Sequence, residues 1–314
     1  MGSVEIPQVT YGFIGIGNMG FPMAQHLRRH LADGLTLVIC DVVESITKKF
    51  VAETPGKIEV AKTPKEVAQK CDIIITILPV GRHVKEVYTN STTGLLSIPA
   101  GQSPKLFIEC STIDVPTSLD VGKAVALSGL GRFADVPVSG GPTGARAATL
   151  TFMAGGDEQI CDAIQPIAMT MGRTFYRCGK PGAGLATKQI NNYLSGICMV
   201  STAEAMNLGM KYGLDPHVLA GVINTSTGMS YNSKEQNPVK GVSSNSSANR
   251  DFAPGFTIEL CKGVLEMVAQ LGSELEANMP LCQALLDTID AASKDDRCRG
   301  KDCRVVYKYI ADVE

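Results

Sequence analysis

YGFIGIGNMG, residues 11–20, decides the fold. YGFIGI (11–16) is a short apolar run that reads as a buried strand. The amphipathic stretch 19–32 behind it reads as a helix. Between them Gly15-Ile16-Gly17-Asn18-Met19-Gly20 is a GxGxxG turn. Strand, tight glycine turn and helix together are the context in which this motif binds a dinucleotide. Gly15 permits the turn, Gly17 lets the backbone approach a pyrophosphate at the positive end of the helix, and Gly20 allows close packing of helix on strand. Asn18 and Met19 complete the binding loop. The next strand ends in Asp41, whose carboxylate suits two ribose hydroxyls and repels a 2′-phosphate. The expected cofactor is therefore NAD rather than NADP.

Working outward, LTLVIC (35–40), DIIITIL (72–78), KLFIEC (105–110) and RFADVPV (132–138) are further apolar, mostly β-branched runs. Helical stretches at 42–52 and 115–128 separate some of them. This alternation predicts an α/β domain with a doubly wound parallel sheet of the Rossmann type, covered by helices on both faces. LTFMAGG (150–156) and TFYRCG (174–179) add two strands. From 182 to 212 the chain is rich in Ala, Met and Leu and reads as one long helix, roughly 45 Å if unbroken. Asp215 and Pro216 then form a helix start, and further helices are expected at 256–272, 280–293 and 303–312, with a polar loop over 237–254. The expected division is a dinucleotide-binding domain over 1–180 and an all-helical domain over 181–314.

A formal net charge of −2 and scattered basic residues exclude a global field that gathers nucleic acid or an anionic membrane. No apolar run reaches the ~20 residues of a membrane span. The N-terminal MGSVEIPQVT has neither a signal-peptide pattern nor an Arg-rich presequence, so the expectation is a cytoplasmic protein unless a targeting segment is missing. The ten cysteines read as small buried hydrophobes in a reducing compartment. Neither they nor the four histidines show metal-ligand spacing, so no metal is expected.

Leu78-Pro79-Val80 and Ser111-Thr112 fall at strand ends, where open parallel sheets place ligands. Ser139-Gly140-Gly141 follows a strand, and two consecutive glycines let backbone N–H groups converge on an anion. Lys188 lies on the long helix with Asn191 and Asn192 one turn further along the same face. Taken alone, these read equally as loop chemistry, a glycine turn and a solvated polar helix face.

GFIGIGNMGFPMAQHL (12–27), ECSTID (109–114), DVPVSGGPTGARAATLTFMAGG (135–156), GAGLATKQINNYL (182–194) and TAEAMNLGMKYGLDP (202–216) resemble, in order and spacing, the signature blocks of the β-hydroxyacid dehydrogenase family. NPVKGV (237–242) and KDCRVVYKYI (301–310) resemble its branch acting on 3-hydroxyisobutyrate, a step of valine catabolism. The resemblance implies a Rossmann domain joined by a long helix to a helical domain, assembled as a homodimer or homotetramer, with a mitochondrial location if a presequence precedes the chain. It implies hydride transfer between a small hydroxy acid and NAD, with Lys188 as general acid/base and Asn192 as its partner. Ser139, Gly140, Gly141 and Asn191 then hold substrate. A free lysine titrates near ~10.4, so a working pKa near ~7 needs about 4–5 kcal/mol from burial and neighbours. One departure stands out: the family's Lys-Asp pair in the helix after Phe256 aligns with Gly263-Val264, and Lys262 is one residue early. A kink at Gly263 is then required for Lys262 to reach the cofactor. That departure keeps open a reductase of another semialdehyde, an imine or a specialised metabolite. A non-catalytic NAD-binding protein is the third reading, opposed by the presence of Lys188, Asn192 and Ser139 together.

Overall fold

The computed structural model describes residues 5–99, 101–253 and 255–313. Two compact units divide the chain, Met1–Lys188 and Gln189–Glu314, so the division falls within a helix.

The first unit alternates strands and helices. Its elements are β1 (Tyr11–Ile14), α1 (Gly20–His30), β2 (Thr36–Cys40), α2 (Glu44–Glu53), β3 (Lys57–Val60), α3 (Pro64–Lys70), β4 (Ile73–Thr76), α4 (Gly81–Thr89), β5 (Lys105–Glu109), α5 (Val115–Ser128) and β6 (Gly131–Asp135). After these come β7 (Val138–Ser139), α6 (Gly141–Arg146), β8 (Leu150–Gly155), α7 (Glu158–Met169), β9 (Gly172–Gly179) and the start of α8 (Ala183–Tyr212). Strands β3-β2-β1-β4-β5-β6 lie side by side in that order and all run parallel. Alternate side chains enter two separate cores. Phe13, Ile39, Ile75 and Ile108 fill one, while Ile14, Val38, Ile74 and Phe107 fill the other. Both faces of β1, β2, β4 and β5 are therefore buried, which explains why their runs are continuously apolar rather than alternating.

The sheet is not wholly parallel. RFADVPV forms two strands, β6 and β7, separated by Val136-Pro137. β8 runs antiparallel to both, with Asp135 opposite Gly155 and Val138 opposite Phe152. β9 then runs parallel to β8. The connection from β6 to β8 carries only the six-residue α6, too little for a crossover of the kind parallel strands need, and the chain folds back. β3 has no counterpart among the runs singled out in the sequence. It is an edge strand whose Lys57 and Val60 face solvent, so its apolar content is low.

The second unit is helical: the remainder of α8, α9 (Pro216–Thr225), α10 (Tyr231–Lys234), α11 (Ile258–Glu274), α12 (Cys282–Lys294) and α13 (Val306–Ala311). Ile258, Leu265, Leu285, Ile289 and Val306 share its main core. The polar segment 237–254 is more than a surface loop. Asn237, Ser246 and Ser247 are buried, and Ser247–Arg250 form a 3-10 turn. Internal bonds replace the lost water: Ser246 Oγ donates to the Asn237 carbonyl at 2.6 Å, and Ser247 Oγ to Asp302 Oδ1 at 3.0 Å.

Asp215 caps α9, accepting from the N–H groups of His217 and Val218, with Pro216 in the first turn. Asp215→Ala is expected to lower stability by about 1 kcal/mol in urea unfolding, with an unchanged m-value.

Candidate active site

The glycine loop is built by close approach. Gly15 has φ +93°, and its N–H donates to the Cys40 carbonyl at 3.0 Å. A side chain at Gly20 would run into the Gly15 carbonyl, whereas a Cβ on Gly17 would meet nothing within 4 Å. Gly20 is thus closed by protein, and Gly17 faces open space. Helix α1 has no side-chain cap and no acidic residue in its first turn, which leaves its positive end available to an anion. Asp41 secures the loop as well as offering itself to a ribose. Its Oδ2 accepts from Ile16 N at 2.7 Å and its Oδ1 from Val43 N at 2.8 Å. Each carboxylate oxygen keeps a further lone pair for a ligand hydroxyl. The cradle fits a dinucleotide.

Two neighbouring loops close on this one. Leu78, just past β4, donates its N–H to Ser111 Oγ at 2.7 Å, past the end of β5. A Cβ on Gly15 would lie 3.1 Å from Leu78 Cδ2, so the β4 loop packs on the glycine loop. Pro79 and Thr112 follow directly, Pro79 exposed and Thr112 half-buried.

The start of α8 is fastened to the sheet by Asp135. Its Oδ1 accepts from Gly182 N at 2.7 Å and its Oδ2 from Leu185 N at 2.9 Å. Gly155 and Gly184 clear the niche, since a Cβ on either would strike this carboxylate. Burial raises the Asp135 carboxyl to about 6 against the opposing effect of these N–H donors. Lys188 lies one turn beyond Leu185 and is 9% exposed. Burial lowers its amine to about 8. That is about one unit short of the value near ~7 set by matching to working pH. Downstream of Asp135, Ser139 ends β7 and two glycines follow with φ +132° and +61°. A Cβ on Gly141 would meet nothing within 4 Å, so the turn is open on that side.

In the helical unit, Asn191 is exposed and Asn192 half-buried, both on α8. Helix α11 runs unbroken through Gly263, so the kink that would carry Lys262 into the Gly263 position is absent. The Lys262 amine is instead held by Asp290 Oδ1 of α12 at 2.6 Å, with Glu266 at 3.8 Å, and Val264 is buried. Among the described residues no group of His, Cys, Asp and Glu is arranged to hold a metal.

Residues 10–179 match the family described as the NAD binding domain of 6-phosphogluconate dehydrogenase. Residues 182–310 match that described as the NAD-binding domain of NADP-dependent 3-hydroxyisobutyrate dehydrogenase. The mouse mitochondrial 3-hydroxyisobutyrate dehydrogenase is 42% identical over 303 residues, 96% of this chain and 87% of the mouse protein. This chain belongs to the β-hydroxyacid dehydrogenase family. Members of the family bind NAD as oxidoreductases of CH–OH donors, and NAD is the cofactor of this β-hydroxyacid dehydrogenase. An NAD-dependent L-serine dehydrogenase of Pseudomonas aeruginosa is 36% identical over 269 residues, 86% of this chain and 87% of that protein. Among solved structures, a Mycobacterium tuberculosis 3-hydroxyisobutyrate dehydrogenase with L-serine superposes with a TM-score of 0.86 at 32% identity, covering 96% of this chain and 99% of that one.

Sequence reading singles out Ser111 only as a strand-end residue beside Thr112, and does not single out Asp135. Each acts through a partner distant in the chain, 33 residues away for Ser111 and 47 for Asp135.

The two glycines give contrasting tests. Gly17→Ala is expected to leave urea-unfolding stability within about 0.5 kcal/mol while weakening NADH binding, because its Cβ enters ligand space. Gly20→Ala is expected to lose about 1–3 kcal/mol as well as NADH binding, because its Cβ displaces backbone.

Proposed function

We propose that this dehydrogenase oxidises 3-hydroxyisobutyrate to methylmalonate semialdehyde, with Lys188 as the general base. The observation that carries this reading is the buried Lys188 amine, brought to about 8 on a helix anchored at its start. An amine with that pKa is neutral in a useful fraction near neutrality and still basic enough to take a proton. Bound NAD supplies the hydride acceptor. Its site comprises Gly15, Gly17, Asn18, Met19, Gly20, Asp41, Leu78, Pro79 and Thr112. Lys262 is left out of this set, since Asp290 holds its amine. Lys188 Nζ accepts the hydroxyl proton as the carbinol hydrogen departs with its electron pair. The carbinol carbon becomes the aldehyde, and the protonated amine returns its proton to solvent. Ser139 and the N–H groups at Gly140 and Gly141 hold the substrate carboxylate. Asn192 orients the hydroxyl or the amine, with Asn191 beside it.

The domain assignment belongs to the same proposal. Residues 1–180 bind the dinucleotide, 181–314 complete the substrate site and carry assembly into a homodimer or homotetramer. No helix among the described residues is long and apolar enough to cross a membrane. All ten cysteines are free, in keeping with a reducing compartment such as the cytosol or mitochondrial matrix. L-serine is the second substrate to weigh, because two relatives carry it in their descriptions. Steady-state oxidation of 3-hydroxyisobutyrate, L-serine and 4-hydroxybutyrate with NAD and NADP tests the reading. The highest kcat/KM is expected for 3-hydroxyisobutyrate with NAD, and turnover of none of them defeats it.

Lys188→Ala is expected to lower kcat by about 10²–10⁴-fold with NADH affinity retained. For the wild type, kcat for oxidation is expected to rise with pH through about 8, because only the neutral amine accepts a proton. The reverse reduction, which needs the protonated amine, should fall over the same range. Lys188→Met should raise stability at pH 7 by as much as about 3 kcal/mol, since a lysine held below its free pKa opposes folding until the pH exceeds that free value.

A further inference from the structure

Glu109 is the last residue of β5 and is wholly buried. Its Oε1 accepts from Ser111 N at 2.9 Å and from Thr76 Oγ1 at 3.4 Å. Thr76 in turn lies 3.2 Å from the Tyr88 hydroxyl. Oε2 is buried and has no hydrogen-bond partner. Asp135 sits directly opposite in the β5–β6 register. A carboxylate with one oxygen unpaired, beside a second carboxyl and away from water, favours its neutral form. Burial, with Asp135 adding to it, raises the Glu109 carboxyl to about 7. Among the described residues the other ionisable groups that interact with it, Tyr88 and Cys110, are held protonated by burial, which leaves the Asp135 carboxyl as its acidic neighbour.

The bonds run outward from this acid. Glu109 fixes the Ser111 backbone, Ser111 Oγ receives the Leu78 N–H, and Leu78 packs on Gly15. We propose that Glu109 is a positioning residue for the cofactor: its buried side chain sets the β5 loop through Ser111, and Ser111 sets the β4 loop and the glycine turn through Leu78. This rests on the cofactor set given under Proposed function. In the protonated form the proton falls to Oε2, the oxygen that meets no donor, which leaves Oε1 as the acceptor. A glutamine has the same shape, with an amide carbonyl in place of Oε1 and an NH2 in place of Oε2.

The experiment is NADH titration by fluorescence, with KM for NAD and for the hydroxy acid measured separately, on the full chain and on Glu109→Gln, Glu109→Ala and Ser111→Ala. Glu109→Ala is expected to weaken NADH binding and raise KM for NAD by about tenfold, with KM for the hydroxy acid changed by less than about twofold. Ser111→Ala should shift the same constants in the same direction, and it keeps the test open if Glu109→Ala does not fold. Glu109→Gln should stay within about twofold of the wild type. Two results overturn the proposal: wild-type NADH affinity in whichever of Glu109→Ala and Ser111→Ala folds, or a Glu109→Gln variant as weak as the loss caused by alanine. A wild type that fails to bind NADH defeats the cofactor assignment itself, and this inference falls with it.

Discussion

The structure of the first unit turns on one buried carboxylate. Asp135 closes β6 and receives two N–H groups from the first turn of α8. Without it those donors would be left unpaired at the start of a 30-residue helix, in a niche that Gly155 and Gly184 keep clear for this side chain alone. Three residues past the second of those bonds stands Lys188. Four residues past Asp135 along the strand path stands Ser139. A single group therefore sets the origin of both chain segments to which reaction chemistry is assigned. Its negative charge also complements the positive end of the helix dipole.

That fastening has an energetic counterpart. Lysine is rarely buried, because the ammonium loses its hydration and the amine is driven toward neutrality. Lys188 is buried, and on the same unit Glu109 and Asp135 are carboxyls raised toward neutrality by the same cause. Three ionisable side chains held away from their usual pKa values oppose folding. The apolar cores on either face of the sheet, with Phe13, Ile75 and Ile108 on one side and Ile74 and Phe107 on the other, offset them. In the proposed mechanism the same desolvation that destabilises the lysine fits it to act as a base at physiological pH.

Much of this was legible in the sequence because it is local. The GxGxxG turn follows its strand and opens its helix within ten residues, and its glycines have the environments their roles demand. The apolar runs became strands because both of their faces are buried. Asp215 and Pro216 marked a helix start by cap chemistry alone. What escaped was non-local. Edge strand β3 has few apolar residues to mark it, and the antiparallel return at β8 follows from the short α6 connection rather than from the strand's own composition. The buried polar segment 237–254 looks solvated until its serine and asparagine partners are placed by the fold. Asp135 reads as an ordinary residue within a longer block, and a strand end alone does not reveal the bond from Leu78 to Ser111, since the partners of both are set by strand register. Lys262 shows the reverse case: a residue one position from a family lysine finds a local carboxylate, Asp290, and no kink restores the offset.

The most direct measurement is an NMR titration of the Lys188 side chain in protein carrying ¹³C-labelled lysine, with Lys188→Ala used to assign the resonance. A midpoint near 8 is the expected result. A midpoint near 10.5, the value of a solvated amine, contradicts a desolvated base at this position.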